Sequence, residues 1–116
     1  MNEIQATGTL TVSKNGVTAS DTFAINVTMS GDDYVAGTQV IGTSNETIAL
    51  ADIGTIGWVL IKNLDSTNFV EIGDDGTNYT VKLAAGEGCL FRFSGSSINL
   101  KADTAACRVK YLVLEA

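Results

Sequence analysis

The densest run of oxygen donors in the chain is Asp74-Asp75-Gly76-Thr77-Asn78. Carboxylates and amide oxygens on a tight turn form the donor set that calcium takes. The alternating D-x-D-x-D-G spacing and the distal bidentate Glu of an EF-hand loop are missing. The expected role is therefore a hairpin turn, where Asp, Gly and Asn satisfy backbone geometry. Asp32-Asp33 and Glu87 are the other carboxylates that could do chemistry, as a pair for glycoside hydrolysis. Such a pair must face across a cleft, and the expectation here is solvated loop residues. Histidine is absent, which removes Ser-His-Asp and Cys-His systems and the commonest general base at neutral pH. Gly54-Thr55-Ile56-Gly57 and Gly95-Ser96-Ser97 lack the spacing and the following helix of a phosphate-binding loop. The residues predict no catalytic, cofactor-binding or metal site.

Two further sets bear on function. Trp58, Phe69, Phe91, Phe93, Tyr79 and Tyr111 offer flat rings on which a sugar could stack. For Trp58, Phe69 and Phe91 the inward-facing spacing within strands instead predicts a core, with the Trp58 indole inside it. Cys89 and Cys107 are read as free buried thiols, a disulfide between them being the geometric alternative on paired strands.

These residues must be held by short strands. Period-two runs broken by Gly, Asn, Asp and Ser recur throughout, and no helix-period segment of ten residues competes. Ile4 to Val12 and Phe23 to Met29 flank Asn15-Gly16, a type I′ turn signal. Gly31 to Gly37 reads as a loop carrying Tyr34, followed by strands near Thr38–Thr43 and Glu46–Leu50. Ala51 to Gly54 could make one helical turn. From Gly57 the strands sharpen: Gly57 to Leu64, Phe69 to Gly73, Tyr79 to Leu83, Cys89 to Phe93, Ile98 to Ala102 and Cys107 to Leu114. Nine or ten strands in 116 residues predict one all-β domain over 1–116. Its expected form is a two-sheet antiparallel sandwich of jelly-roll type, with 1–43 as an N-terminal hairpin and loop region.

Only 17% of the residues are charged, and the net charge is −6. The low charge leaves uncharged surface for a partner. The seven Lys and Arg are scattered with no two adjacent, which argues against nucleic acid and anionic membranes as partners. The first residues lack the pattern of a secretory signal, and no apolar run is long enough to span a membrane, so synthesis in the cytoplasm is expected.

The second half carries a pattern of its own. Ile61-Lys62-Asn63-Leu64-Asp65, Val70-Glu71-Ile72-Gly73, Leu83-Ala84-Ala85-Gly86-Glu87, Phe91-Arg92 and Lys101-Ala102-Asp103-Thr104-Ala105-Ala106 follow one another there. It resembles small structural proteins of tailed bacteriophages. The resemblance implies a virion component with a β-sandwich fold, first of all a capsid decoration (cement) protein on the outside of an assembled shell. It also implies the major capsid protein as partner, a homo-oligomer (often a trimer), and a place on the capsid surface. A tail or head-fibre component is its close variant, and a carbohydrate-binding module is the reading from a different class.

Attachment is expected to lie in the N-terminal region, by elimination, since the later strands are committed to the core. Unpaired Thr-rich strand edges can add to a partner's sheet, and a loop aromatic can anchor in a pocket. The candidate interface residues are Ile4, Thr7, Leu10, Tyr34 and Val35.

Overall fold

A computed structural model describes residues 3–51 and 53–116. The described residues form ten β-strands and no helix. They fall into two compact units, divided between Gly31 and Asp32.

The first unit is a hairpin of β1 (Ile4–Lys14) and β2 (Val17–Val27), paired without a break from Ile4↔Val27 to Lys14↔Val17. Asn15 and Gly16 close it at φ 49° and 85°. Two successive residues in the left-handed region are what a type I′ turn requires, and its twist matches the flanking strands. The expected hairpin is present, with its turn where Asn-Gly placed it.

The second unit is the sandwich. One sheet has the order β3 (Tyr34–Ile41), β10 (Cys107–Glu115), β5 (Ile56–Asn63), β8 (Gly88–Arg92). The other has the order β4 (Glu46–Thr47), β9 (Asn99–Ala102), β6 (Val70–Gly73), β7 (Val81–Leu83). All pairings are antiparallel. Counted along the sandwich alone, the orders are 1-8-3-6 and 2-7-4-5, which is jelly-roll topology: the last strand returns beside the first.

Alternation builds the core. Val59 and Ile61 of β5, and Cys107, Val109, Tyr111 and Val113 of β10, point inward from one sheet. Val70, Ile72, Leu83, Leu100 and Ala102 meet them from the other. Each large aliphatic side chain so buried is worth about 1.5–3 kcal/mol.

Three expectations change. The segment around Tyr34 is strand, not loop: Tyr34 pairs with Leu114 and Gly37 with Tyr111. Gly37 is there for space, since a Cβ would stand 3.3 Å from the Tyr111 hydroxyl. Residues 51–54 hold no helical turn among the described residues. Ala51 has φ 51°, outside the right-handed helical region, and the Ile53 N–H donates to the Leu50 carbonyl at 3.1 Å; Asp52 lies outside the described residues. Trp58 is not in the core. It alternates with Val59, so it stands half-buried on the outer face of its sheet, and its buried Nε1 finds no acceptor among the described residues.

The burial pattern predicts a sharp contrast within one sheet. Ile61→Ala lowers stability by about 2–5 kcal/mol in urea unfolding, because it opens a cavity. Leu112→Ala, on the outer face, changes it by less than about 1 kcal/mol.

Candidate functional site

The residues that carry the second-half pattern turn out to be closures of the fold. Asn63 is buried at the end of β5. Its Nδ2 donates to the carbonyls of Asn68 (3.0 Å), Leu83 (3.1 Å) and Ala84 (3.3 Å), and its Oδ1 accepts from the Asp65 N–H at 3.0 Å. One amide thus ties β5 to the following turn and to the end of β7. Asp65 then accepts from the N–H groups of Asn68 (2.6 Å) and Thr67 (2.9 Å), which hold its carboxyl below the ordinary aspartate range. Gly73 admits the crossing chain, since a Cβ there would overlap the Asn78 carbonyl. Ala84 and Glu87 close their turn by Glu87 N–H to Ala84 carbonyl (3.0 Å) and Ala84 N–H to the Glu87 carboxylate (2.8 Å), with Gly86 at φ 80°.

The acidic run 74–78 is a turn built around Asp75. Its carboxylate accepts from the Thr77 N–H (2.8 Å), the Asn78 N–H (2.7 Å), the Asn78 amide (3.2 Å) and the Thr77 hydroxyl (3.0 Å). Those donors, the two backbone groups foremost, hold Asp75 down to about 2. Among the described residues no three His, Cys, Asp or Glu side chains are grouped to hold a metal ion.

The rings are dispersed. Phe91 and Phe93 meet edge-on with centroids 5.9 Å apart and pack against the core. Tyr111 is buried in it. Phe69 lies under the Lys82 ammonium at 4.1 Å, and Tyr79 near that of Lys101 at 5.3 Å. Both cysteines are free. Strand β5 separates β8 from β10, so Cys89 and Cys107 are not cross-strand neighbours. Burial pushes the Cys89 thiol up to about 11, the range of an unreactive thiol.

Of the five candidate interface residues, Ile4, Thr7 and Leu10 lie in the hairpin unit and Tyr34 and Val35 in the sandwich unit. Ile4 is buried, and Val35 packs against the core. Thr7 is exposed on the polar face of the hairpin, and Leu10 is 82% exposed on its apolar face. Tyr34 is 64% exposed, at the corner of the β3-β10-β5-β8 sheet.

That sheet's outer face was not legible as a surface in the sequence. Tyr34 lies opposite Leu114, and Ala36, Leu112, Leu60 and Leu90 form a row across all four strands. The next row is Thr38, Lys110, Lys62 and Gly88. Arg108 sits one row further, opposite Val40, and Arg92 sits opposite Trp58. Tyr34, Val40, Leu112, Lys62, Arg92, Arg108 and Lys110 are exposed. No outward position of these four strands carries Asp or Glu. Four of the chain's seven cations therefore share one face with an apolar strip.

The opposite sheet is neutralised. Glu71 of β6 stands directly across from Lys82 on one side and Lys101 on the other. On the first sheet, Lys62 and Lys110 are themselves a direct cross-strand pair. Like charges in that relation destabilise a sheet, and opposite charges support it, each by about 0.2–1 kcal/mol. Gly88 gives the Lys62 stem room, since a Cβ there would lie 3.0 Å from its Cγ.

No family model matches this chain, and neither a curated protein nor a solved structure matches it.

The Asn63 bracket is directly testable. Asn63→Leu keeps the volume but removes the side-chain donor from the Asn68 and Leu83 carbonyls, while the Ala84 carbonyl keeps the Glu87 N–H; each buried group so deprived costs about 1–3 kcal/mol. Urea unfolding is expected to show a loss of about 2–5 kcal/mol with the β-type circular dichroism of the folded state retained.

Proposed function

We propose that this chain is a structural virion protein that binds the outside of an assembled phage capsid and stabilises it. The contact surface is the outer face of the β3-β10-β5-β8 sheet. One observation supports this most strongly: Lys62 and Lys110 are paired across strands on a face without a carboxylate, beside an exposed apolar strip. Such a face is costly to the free chain and gains by meeting a surface that supplies carboxylates and apolar cover. Tyr34, Leu112 and Leu60 suit the apolar part of a protein interface, where aromatic and aliphatic anchors are enclosed by a polar rim. A phosphate backbone would use the cations but not the strip.

The second-half resemblance names the kind of partner. The Asn63, Gly73 and Gly86 closures belong to that pattern, and they describe a rigid sandwich rather than a reactive site. Rigidity suits a cement role. A clamp that bridges neighbouring subunits gains from several weak contacts made together, provided its own geometry does not yield.

The test is co-sedimentation with shells assembled from the major capsid protein of the same genome. The purified chain is expected to sediment with intact shells and to raise the temperature at which they disassemble. Tyr34→Ala combined with Lys62→Glu and Lys110→Glu is expected to lower affinity at least about tenfold, and higher salt to weaken the unaltered chain. No binding to assembled shells, or binding unaffected by the triple change, would overturn the reading.

A further inference from the structure

The hairpin has one apolar and one polar face. Directly paired residues point to the same side of a ribbon. One face therefore carries Gln5, Thr7, Thr9, Thr11 and Ser13 with Thr18, Ser20, Thr22, Ala24 and Asn26. Here the Thr9 and Thr22 hydroxyls bond at 2.9 Å, as do those of Thr11 and Ser20. The other face carries Gly8, Leu10, Val12 and Lys14 with Val17, Ala19, Asp21 and Phe23 in its outer half. Phe23 lies over Gly8, where a Cβ would come within 2.7 Å of the ring.

That outer half is exposed on both faces. Leu10 is 82% exposed, Val17 59%, and Val12 and Phe23 are also exposed. A two-stranded hairpin is at best marginally stable in water, and its apolar face needs something to pack on. The turn and the hydroxyl pairs order the ribbon without covering that face.

The charges on the face indicate what covers it. Lys14 and Asp21 are its only two, and they are opposite in sign. The cross-strand rows run Gly8–Phe23, Leu10–Asp21, Val12–Ala19 and Lys14–Val17. Lys14 and Asp21 thus flank the Val12–Ala19 row symmetrically, one row to either side. A second ribbon, stacked antiparallel about a two-fold axis through that row, sets each Lys14 over the other copy's Leu10–Asp21 row. Each Lys14 then shares a row with the other copy's Asp21, so the face is complementary to itself in charge.

We propose that the apolar face of this hairpin packs against the same face of a second copy of the chain, antiparallel about the Val12–Ala19 row. This does not rest on the capsid reading, since it uses a different surface and needs no shell. Stacked this way, the Leu10–Asp21, Val12–Ala19 and Lys14–Val17 rows overlap over roughly 20 Å by about 10 Å, which covers roughly 400 Å² in total. That is below the ~1,200 Å² of a standard stable interface, so the pair is weak and depends on concentration.

Sedimentation equilibrium of the full chain, from about 10 µM to about 1 mM, reads this directly. The mass is expected to rise from 12.1 kDa toward twice that value. Lys14→Glu alone, or Asp21→Lys alone, is expected to weaken the pair about 3- to 10-fold, because each sets like charges together twice across the two-fold. An equimolar mixture of the two variants is expected to recover the unaltered affinity, since each copy then offers the charge the other needs. A merely structural role for either residue would give no such recovery. Val12→Cys, on the axis, is expected to give a disulfide-linked dimer on air oxidation that the unaltered chain does not give. A monomer at every concentration, a trimer as the associating unit, or a mixture that stays as weak as its components would overturn the proposal.

Discussion

Strand β10 lies between β3 and β5, and its alternation decides what both faces of that sheet can be. Cys107, Val109, Tyr111 and Val113 enter the core, while Arg108, Lys110 and Leu112 are left outside. Because side chains alternate with a period of two, a slip of one residue would exchange the two sets. Four buried side chains would be lost to water, at about 1.5–3 kcal/mol for each large one. The Lys62–Lys110 repulsion that the native register imposes costs at most about 1 kcal/mol. Core burial wins by a wide margin, so the like-charge pair persists.

This ordering of magnitudes gives the two sheets different characters. Around Glu71 the register brings opposite charges together, and rings take up the ammonium groups of Lys82 and Lys101. That face is complete in itself. On the other sheet the cations stand together without carboxylates, next to Leu112, Leu60 and Leu90. The sandwich thus has one self-sufficient surface and one whose electrostatics are left for another molecule to satisfy. The hairpin repeats the theme within its own unit, with a hydroxyl-bonded face and an apolar face that its two strands cannot cover.

Much of the fold was legible because its signals are local. Asn15-Gly16 marks its turn by backbone chemistry, and Cys107 to Leu114 shows its core face by plain alternation. Signals that depend on a neighbour across the sheet were misread. Gly37 looked like loop punctuation, yet it makes room for Tyr111 on the adjacent strand. Trp58 sits in an apolar run and was expected in the core, whereas its alternation with Val59 puts the indole on the outer face. The candidate surface was the least legible of all. Lys62 and Lys110 are far apart in the chain and read as scattered charges, and only the β5–β10 register makes them a pair. Ile4 is buried and Val35 packs against the core, which hydrophobicity near a presumed edge did not reveal.

The central claim is that the cationic, apolar face of the β3-β10-β5-β8 sheet meets carboxylates of a capsid surface. Zero-length carbodiimide coupling joins a lysine to a carboxylate only when the two are in salt-bridge contact. Applied to decorated shells and read by mass spectrometry, it is predicted to link Lys62 and Lys110 to the major capsid protein. Links confined to Lys82 and Lys101, on the opposite sheet, would contradict the account.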